Sequence, residues 1–165
     1  MTTSQEKHKL MVIGPSGAGK TTLLKVLGMS EASPCKTEAV CYSSKAVDTP
    51  GEFFEIPRFY HALITSSTKA HLVLLVADPT RHVRFPSMFT RAIRARSIGV
   101  VNKSDLVSED LLLKAEAELR RAGVSQVFRV SAVTGEGLEE LKGYMRACGV
   151  MDQPVKTEPA PGPQG

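Results

Sequence analysis

The run Gly14-Pro15-Ser16-Gly17-Ala18-Gly19-Lys20-Thr21 is a complete G-x-x-x-x-G-K-[ST], and it constrains the chain more than any other feature. Such a loop works only between a strand and a helix. Its glycines let backbone N–H groups curl around phosphate oxygens, and the N-terminus of the helix that follows adds positive dipole. Lys20 reaches the β/γ oxygens, the Thr21 hydroxyl ligates Mg²⁺, and Thr22 follows on the same turn. Both flanks are present: residues 10–13 are a short branched apolar run, and residues 20–27 have helical spacing. Residues 14–22 are therefore candidate contacts for a nucleoside triphosphate, with the base still open.

The rest of the chain repeats that alternation. Apolar runs at 72–77, 98–101 and 127–130 scarcely alternate with polar residues, as expected of parallel strands covered on both faces. Helical spacing predicts helices at 20–27, about 57–69, about 86–94, 109–122 and 138–147. The fourth shows its ends: Ser108 as N-cap, Val107 stapling onto Leu112, an apolar face of Leu112, Ala115, Leu119 and Ala122, and Gly123 as the stop. Alternating strands and helices imply an α/β fold, a doubly wound, mostly parallel sheet between two helical layers with right-handed crossovers.

Asp48-Thr49-Pro50-Gly51 follows the apolar pair Ala46-Val47. In that place Asp48 can hold Mg²⁺ through water and the Gly51 N–H can face a γ-phosphate. Thr37, between the first helix and this strand, is the threonine placed to close over the metal. The metal set read from sequence is thus Thr21, Thr37 and Asp48.

Base choice is read from Asn102-Lys103-Ser104-Asp105 after the strand ending at Val101, and from Ser131-Ala132 after the strand ending at Val130. The Asp105 carboxylate only accepts hydrogen bonds, so it matches the two donors on guanine's edge and finds no such pair on adenine. A mismatch at such a polar site leaves groups unpaired and discriminates by about 10⁴ or more. GTP or GDP with Mg²⁺ is therefore the expected ligand. Asn102 is expected to brace its loop against the phosphate loop, Lys103 to lay its stem over the base, and the Ala132 N–H to donate to the guanine carbonyl.

Composition narrows the setting. The 165 residues allow one sizeable core, and the domain is expected over 9–150, with disordered tails at 1–8 and 151–165. No apolar stretch is long enough to span a bilayer and the first residues are polar, so a cytoplasmic protein with no membrane partner is expected. A net charge of +4 is too small to indicate nucleic acid, and three cysteines without C-x-x-C spacing support neither disulfides nor a zinc site. Phe53, Phe54, Phe59, Tyr60 and His61 are expected to pack locally, and the arginines from Arg81 to Arg96 to form a solvated face around the third helix, with contact to an acidic protein surface or an arginine finger in cis as the alternatives.

The order GPSGAGKT, Thr37, DTPG, NKSD, SA resembles that of Ras-like and Era-like P-loop GTPases over residues 9–147. Within it, KTEAV at 36–40 and DTPGEFFEIPRFYHALI at 48–64 are similar to the EutP/PduV GTPases of bacterial ethanolamine- and propanediol-utilisation microcompartments. The resemblance implies a three-layer Ras-like fold and a role near such compartments, with a shell or associated protein as partner. Neither end carries an amphipathic targeting stripe, so the outer face of the compartment is the expected place.

Two departures matter. Only ten residues separate Thr37 from Asp48, too few for a long hairpin, so the β2–β3 edge is expected to be short. Glu52 stands where Ras-like enzymes carry a water-orienting glutamine. A carboxylate cannot donate to the γ-phosphate or to water, so hydrolysis is expected to be slow, about 10⁻⁴ to 10⁻² per second. Lys20, Thr37, Gly51 and Glu52 form the candidate catalytic set. Three readings stay open: a GTPase switch, a phosphotransferase for a small carboxylate, and a nucleotide-binding scaffold without turnover.

Overall fold

A computed structural model of the chain describes residues 8–29, 41–42, 46–49, 51, 54, 56–82 and 84–150. In chain order its main elements are β1 (His8–Ile13), α1 (Lys20–Val26), β2 (Cys41–Tyr42), β3 (Ala46–Asp48), α2 (Tyr60–Ser67), β4 (Ala70–Ala77), β5 (Arg96–Val101), α3 (Glu109–Arg121), β6 (Val127–Arg129) and α4 (Leu138–Ala147). The strands form one sheet in the order β2-β3-β1-β4-β5-β6. Every pairing is parallel except that of β2 with β3, whose antiparallel hairpin is as short as the Thr37–Asp48 spacing requires.

Side chains alternate across a strand, so β1 feeds two cores. Leu10 and Val12 face a layer with Leu23 and Leu24 of α1 and Leu138, Leu141 and Met145 of α4. Met11 and Ile13 face the opposite layer, with Leu63 of α2 and Leu112 and Leu119 of α3. All of β4 is buried except His71, which is why its sequence reads as one apolar run. The three-layer α/β fold expected from the alternation is the one observed. Among the described residues, no helix is long and apolar enough to cross a membrane.

The expected helix at 86–94 is not formed. It is replaced by a single 3₁₀ turn, Phe89–Ala92, entered through Met88 at φ 59° and left through extended Ile93. The reason is tertiary. The Thr90 N–H, which a helix would give to the Pro86 carbonyl, donates instead to the carbonyl of Ala122, and the Met88 N–H is held by the carbonyl of Arg121 at the end of α3. Phe85, Phe89 and Ile93 are buried while Arg84, Arg91 and Arg94 are exposed, so the arginines lie along a pinned loop. Ser108 does occupy the N-cap position of α3, but its side chain makes no capping bond; the acidic residues Glu109 and Asp110 in the first turn meet the helix dipole instead.

Of the aromatic residues after the DTPG turn, Phe54 and Tyr60 pack as expected, whereas His61 does not. The Phe54 ring, 1% exposed, lies 4.7 Å from Phe85 and 6.2 Å from Phe89, and Tyr60 meets Phe89 at 5.7 Å. Burial pushes the Tyr60 phenol above its ordinary pKa. Phe53 lies outside the described residues, and His61 is exposed.

Leu119 is fully buried between α3 and the sheet, whereas Leu113 on the same helix is half exposed. Leu119→Ala should lower the unfolding free energy by about 2–5 kcal/mol through lost burial and a cavity, and Leu113→Ala by less than about 0.5 kcal/mol. Urea titration followed by circular dichroism checks the contrast; equal midpoints for the two variants would contradict this core.

Candidate functional site

The loop between β1 and α1 is held by its carbonyl oxygens. Pro15 O accepts from Lys20 Nζ at 2.9 Å, Ser16 O from Arg81 Nη2, Gly17 O from Lys103 Nζ at 2.6 Å, and Ala18 O from Asn102 Nδ2 at 2.9 Å. In a planar trans peptide the N–H points opposite to the carbonyl. Drawing the Ser16 and Ala18 carbonyls toward side chains in the loops after β4 and β5 therefore turns the Gly17 and Gly19 N–H groups the other way, while the Ala18 N–H turns back to the Pro15 carbonyl at 3.2 Å. Lys20 is 7% exposed, its stem buried and its ammonium folded back over the loop it follows. Thr21 and Thr22 are exposed on the first turn of α1.

Glycine is required at two points. Gly19 sits at φ 84° as the N-cap of α1, and a Cβ there would lie 2.5 Å from Asn102 Nδ2. Gly51 lies against Ser16 so closely that a Cβ would overlap the Ser16 amide nitrogen and Cα. Gly51 is therefore packed onto the phosphate loop, and the buried Thr49 hydroxyl donates to the Val12 carbonyl of β1 at 2.8 Å.

The loop after β5 joins the same centre. Asn102, 2% exposed, donates to Ala18 O and accepts from the Ala132 N–H at 3.2 Å, so one amide ties three loops together. Lys103 stands at φ 56°, and its ammonium bridges Gly17 O and Asp78 Oδ2, the latter at 2.9 Å. Asp105 is exposed in the turn Ser104–Leu106, free of the protein core. Ser131 is fully buried; its hydroxyl accepts from the Thr134 N–H at 3.1 Å, shaping the turn that presents Ala132.

Asp78 is the residue that motif reading passes over. It follows β4 directly, is 4% exposed, and accepts from the Thr80 N–H at 2.9 Å and the Thr80 hydroxyl at 2.5 Å as well as from Lys103. Burial alone would raise its pKa, but the bonds from Thr80 and Lys103 outweigh it and hold the carboxyl below its ordinary value. The available signal was an acid placed directly after an apolar run, where a buried charge must be paired.

The structure thus brings together Pro15 to Lys20, Gly51, Asn102, Lys103, Ser131 and Ala132. Thr37 and Glu52 lie outside the described residues, and Asp48 is described only as the backbone of β3, opposite Val12.

A family model described as "Ethanolamine utilisation - propanediol utilisation" (PduV-EutP) matches residues 7–147. The chain is 34% identical over 140 residues to "Propanediol utilization protein PduV" of Citrobacter freundii, covering 84% of this chain and 93% of that protein. It is 30% identical over 142 residues to "Probable acetate kinase EutP" of Escherichia coli K12, covering 83% and 88% of the two chains. Among solved structures it is similar to a variant of Era from Aquifex aeolicus bound to GDP and AlF4−, with a TM-score of 0.59 and 21% identity over 88% of this chain and 57% of that one. That structural likeness concerns the fold, and the resemblance read from the motifs agrees with all of these matches.

Asp78→Asn should destabilise the fold by about 1–3 kcal/mol at neutral pH, because it removes a buried charge that Lys103 and Thr80 solvate. Since the folded pKa is depressed, the advantage of the wild type is present above the unfolded value of about 3.9 and is lost as pH falls through the folded pKa. Denaturation midpoints of both proteins from pH 7 down to pH 2 check this; a gap that widens in acid would contradict it.

Proposed function

Because the chain belongs to the PduV-EutP family of ethanolamine and propanediol utilisation, we propose that it is a GTPase that binds GTP or GDP with Mg²⁺, hydrolyses GTP slowly, and acts as a switch or assembly factor at a bacterial microcompartment. The observation that carries the reading is the pair of hydrogen bonds from Asn102 and Lys103 to the carbonyls of Ala18 and Gly17. They couple the segment suited to guanine to the segment suited to phosphates, so that one ligand can be held at both ends.

In this reading, residues 14–22 hold the phosphates and Asp105 accepts from the guanine edge, while the Ala132 N–H, bonded to Asn102 Oδ1 in this structure, would be shared with or turned to the guanine carbonyl. Bound Mg²⁺ would be held by Thr21, Thr37 and Asp48 and would supply charge neutralisation on the phosphates. Lys20 adds positive charge beside the loop, and Gly51 offers its N–H at the seam with Ser16. Glu52, without a donor, leaves attacking water poorly oriented, which fits a slow switch whose surfaces at 29–40 and 51–69 respond to the γ-phosphate.

A second reading, phosphoryl transfer to a small carboxylate, is favoured by one feature. A cleft of about 120 Å³ opens between the loop after β4 and α3, lined by Asp78, Arg81, Phe85, Leu111, Lys114 and Glu118 among others. Arg81 and Lys114 beside apolar groups suit a short carboxylate, the Asp78 and Glu118 carboxylates on the same walls being paired with Lys103 and Arg121, and a relative bears the name of an acetate kinase.

Fluorescent GDP and ADP titrated in the presence of Mg²⁺ should show a preference for GDP of at least about 100-fold, reversed toward xanthine nucleotide in Asp105→Asn. Equal affinity for GDP and ADP would refute the guanine site. Trapping with hydroxylamine in the presence of GTP and acetate separates the two readings, since only a kinase forms the acyl phosphate.

The place of the protein is proposed to be the cytoplasm or the outside of the shell. Protease added to purified intact microcompartments should digest it while enclosed enzymes survive, and full protection would contradict the outer location.

A further inference from the structure

Arg81 lies 65 residues from Ser16 in sequence, yet its guanidinium donates to the Ser16 carbonyl, and the same Nη2 is 3.5 Å from where a Cβ on Gly17 would sit. The side chain is half exposed, and its Nε stands 3.7 Å from the buried carboxylate of Asp78, which also holds Lys103. Asp78 thereby orients two cations side by side onto consecutive carbonyls of the phosphate loop, Arg81 on Ser16 and Lys103 on Gly17. The backbone of Arg81 is held by its own N–H, which donates to the Asp78 carbonyl at 3.3 Å, and Phe85, four residues on, is buried in the core with its carbonyl accepting from Arg121 at 2.9 Å. An arginine that only solvated the surface would not need a buried carboxylate and a pinned loop behind it.

We propose that Arg81 is a positioning residue for triphosphate hydrolysis supplied in cis: it holds the Ser16 carbonyl outward, so that the Gly17 N–H faces the phosphates, and sets a guanidinium charge at that seam. The inference rests on the GTPase reading above. In hydrolysis a water oxygen bonds to the γ-phosphorus as the bond to the β–γ bridging oxygen breaks. The electron pair of that bond leaves with GDP, and the water's proton passes to the inorganic phosphate or to solvent. Negative charge therefore gathers on the β-phosphate side, where fixed donors and a nearby cation stabilise the transition state more than the bound ground state. Such a residue affects turnover more than affinity. Where Glu52 offers no donor, a cation already in the chain is a way to reach measurable turnover without one from a partner.

The test is single-turnover hydrolysis of Mg²⁺-GTP together with GDP affinity, in wild type, Arg81→Ala, Arg81→Lys and Arg81→Gln. Arg81→Ala should hydrolyse about 10- to 100-fold more slowly while its GDP affinity stays within about 3-fold of wild type. Arg81→Lys should recover part of the rate and Arg81→Gln none, and added guanidinium at a non-denaturing concentration should speed Arg81→Ala but not wild type. A wild-type rate in Arg81→Ala, or a parallel loss of rate and GDP affinity without guanidinium rescue, would overturn the proposal and leave the GTPase reading standing. If Arg81→Ala does not fold, the comparison of Lys with Gln decides, and equal rates for the two overturn it. Wild-type protein that binds GDP without turning over GTP overturns the role of Arg81 and the GTPase reading but spares guanine binding; absence of guanine-nucleotide binding overturns the site as well.

Discussion

Four consecutive carbonyl oxygens, from Pro15 to Ala18, each accept a hydrogen bond from a side chain, and the site depends on that row. A loop so rich in glycine has many conformations when free, and ordering it is entropically costly. Lys20, Arg81, Lys103 and Asn102 offset the cost by binding its acceptors. The loop is thus shaped by the fold itself, and a phosphate group bound there, as proposed, would meet a lower ordering cost.

The donors come from three places in the chain, and the sheet order is what brings them together. β1 lies between β3 and β4, and β5 follows β4, so the loops after β1, β4 and β5 emerge side by side at one edge of the sheet. Ligands of open parallel sheets bind at such an edge, outside the carboxyl ends of the strands. Asp78, at the end of β4, ties the loops of β4 and β5 through Lys103, and Asn102 ties those of β1, β5 and β6. Removing a member of this net leaves another buried polar group without its partner, so the net holds as a unit.

Much of this was legible in the sequence because the signals are local. A phosphate loop, a DTPG turn and an NKSD turn each follow an apolar run, and runs buried on both faces do not alternate. The bracing by Asn102 was legible as well, since its amide can serve a carbonyl and an N–H at once. The contact of Arg81 with Ser16 was not, because nothing local joins positions so far apart in the chain. The segment 86–94 misled for the same reason: its spacing suits a helix, but the carbonyls at the end of α3 capture its N–H groups. Asp78 lay between these cases, visible as an acid in an apolar setting with its partner hidden in a loop 25 residues on.

The central claim is that phosphate loop and base loops form one preorganised unit selective for guanine. Hydrogen–deuterium exchange with and without nucleotide tests it directly. Mg²⁺-GDP should slow exchange together at 16–22, 102–106 and 131–134, and Mg²⁺-ADP at the same concentration should not. Protection confined to 16–22, or equal protection by ADP, would contradict the account.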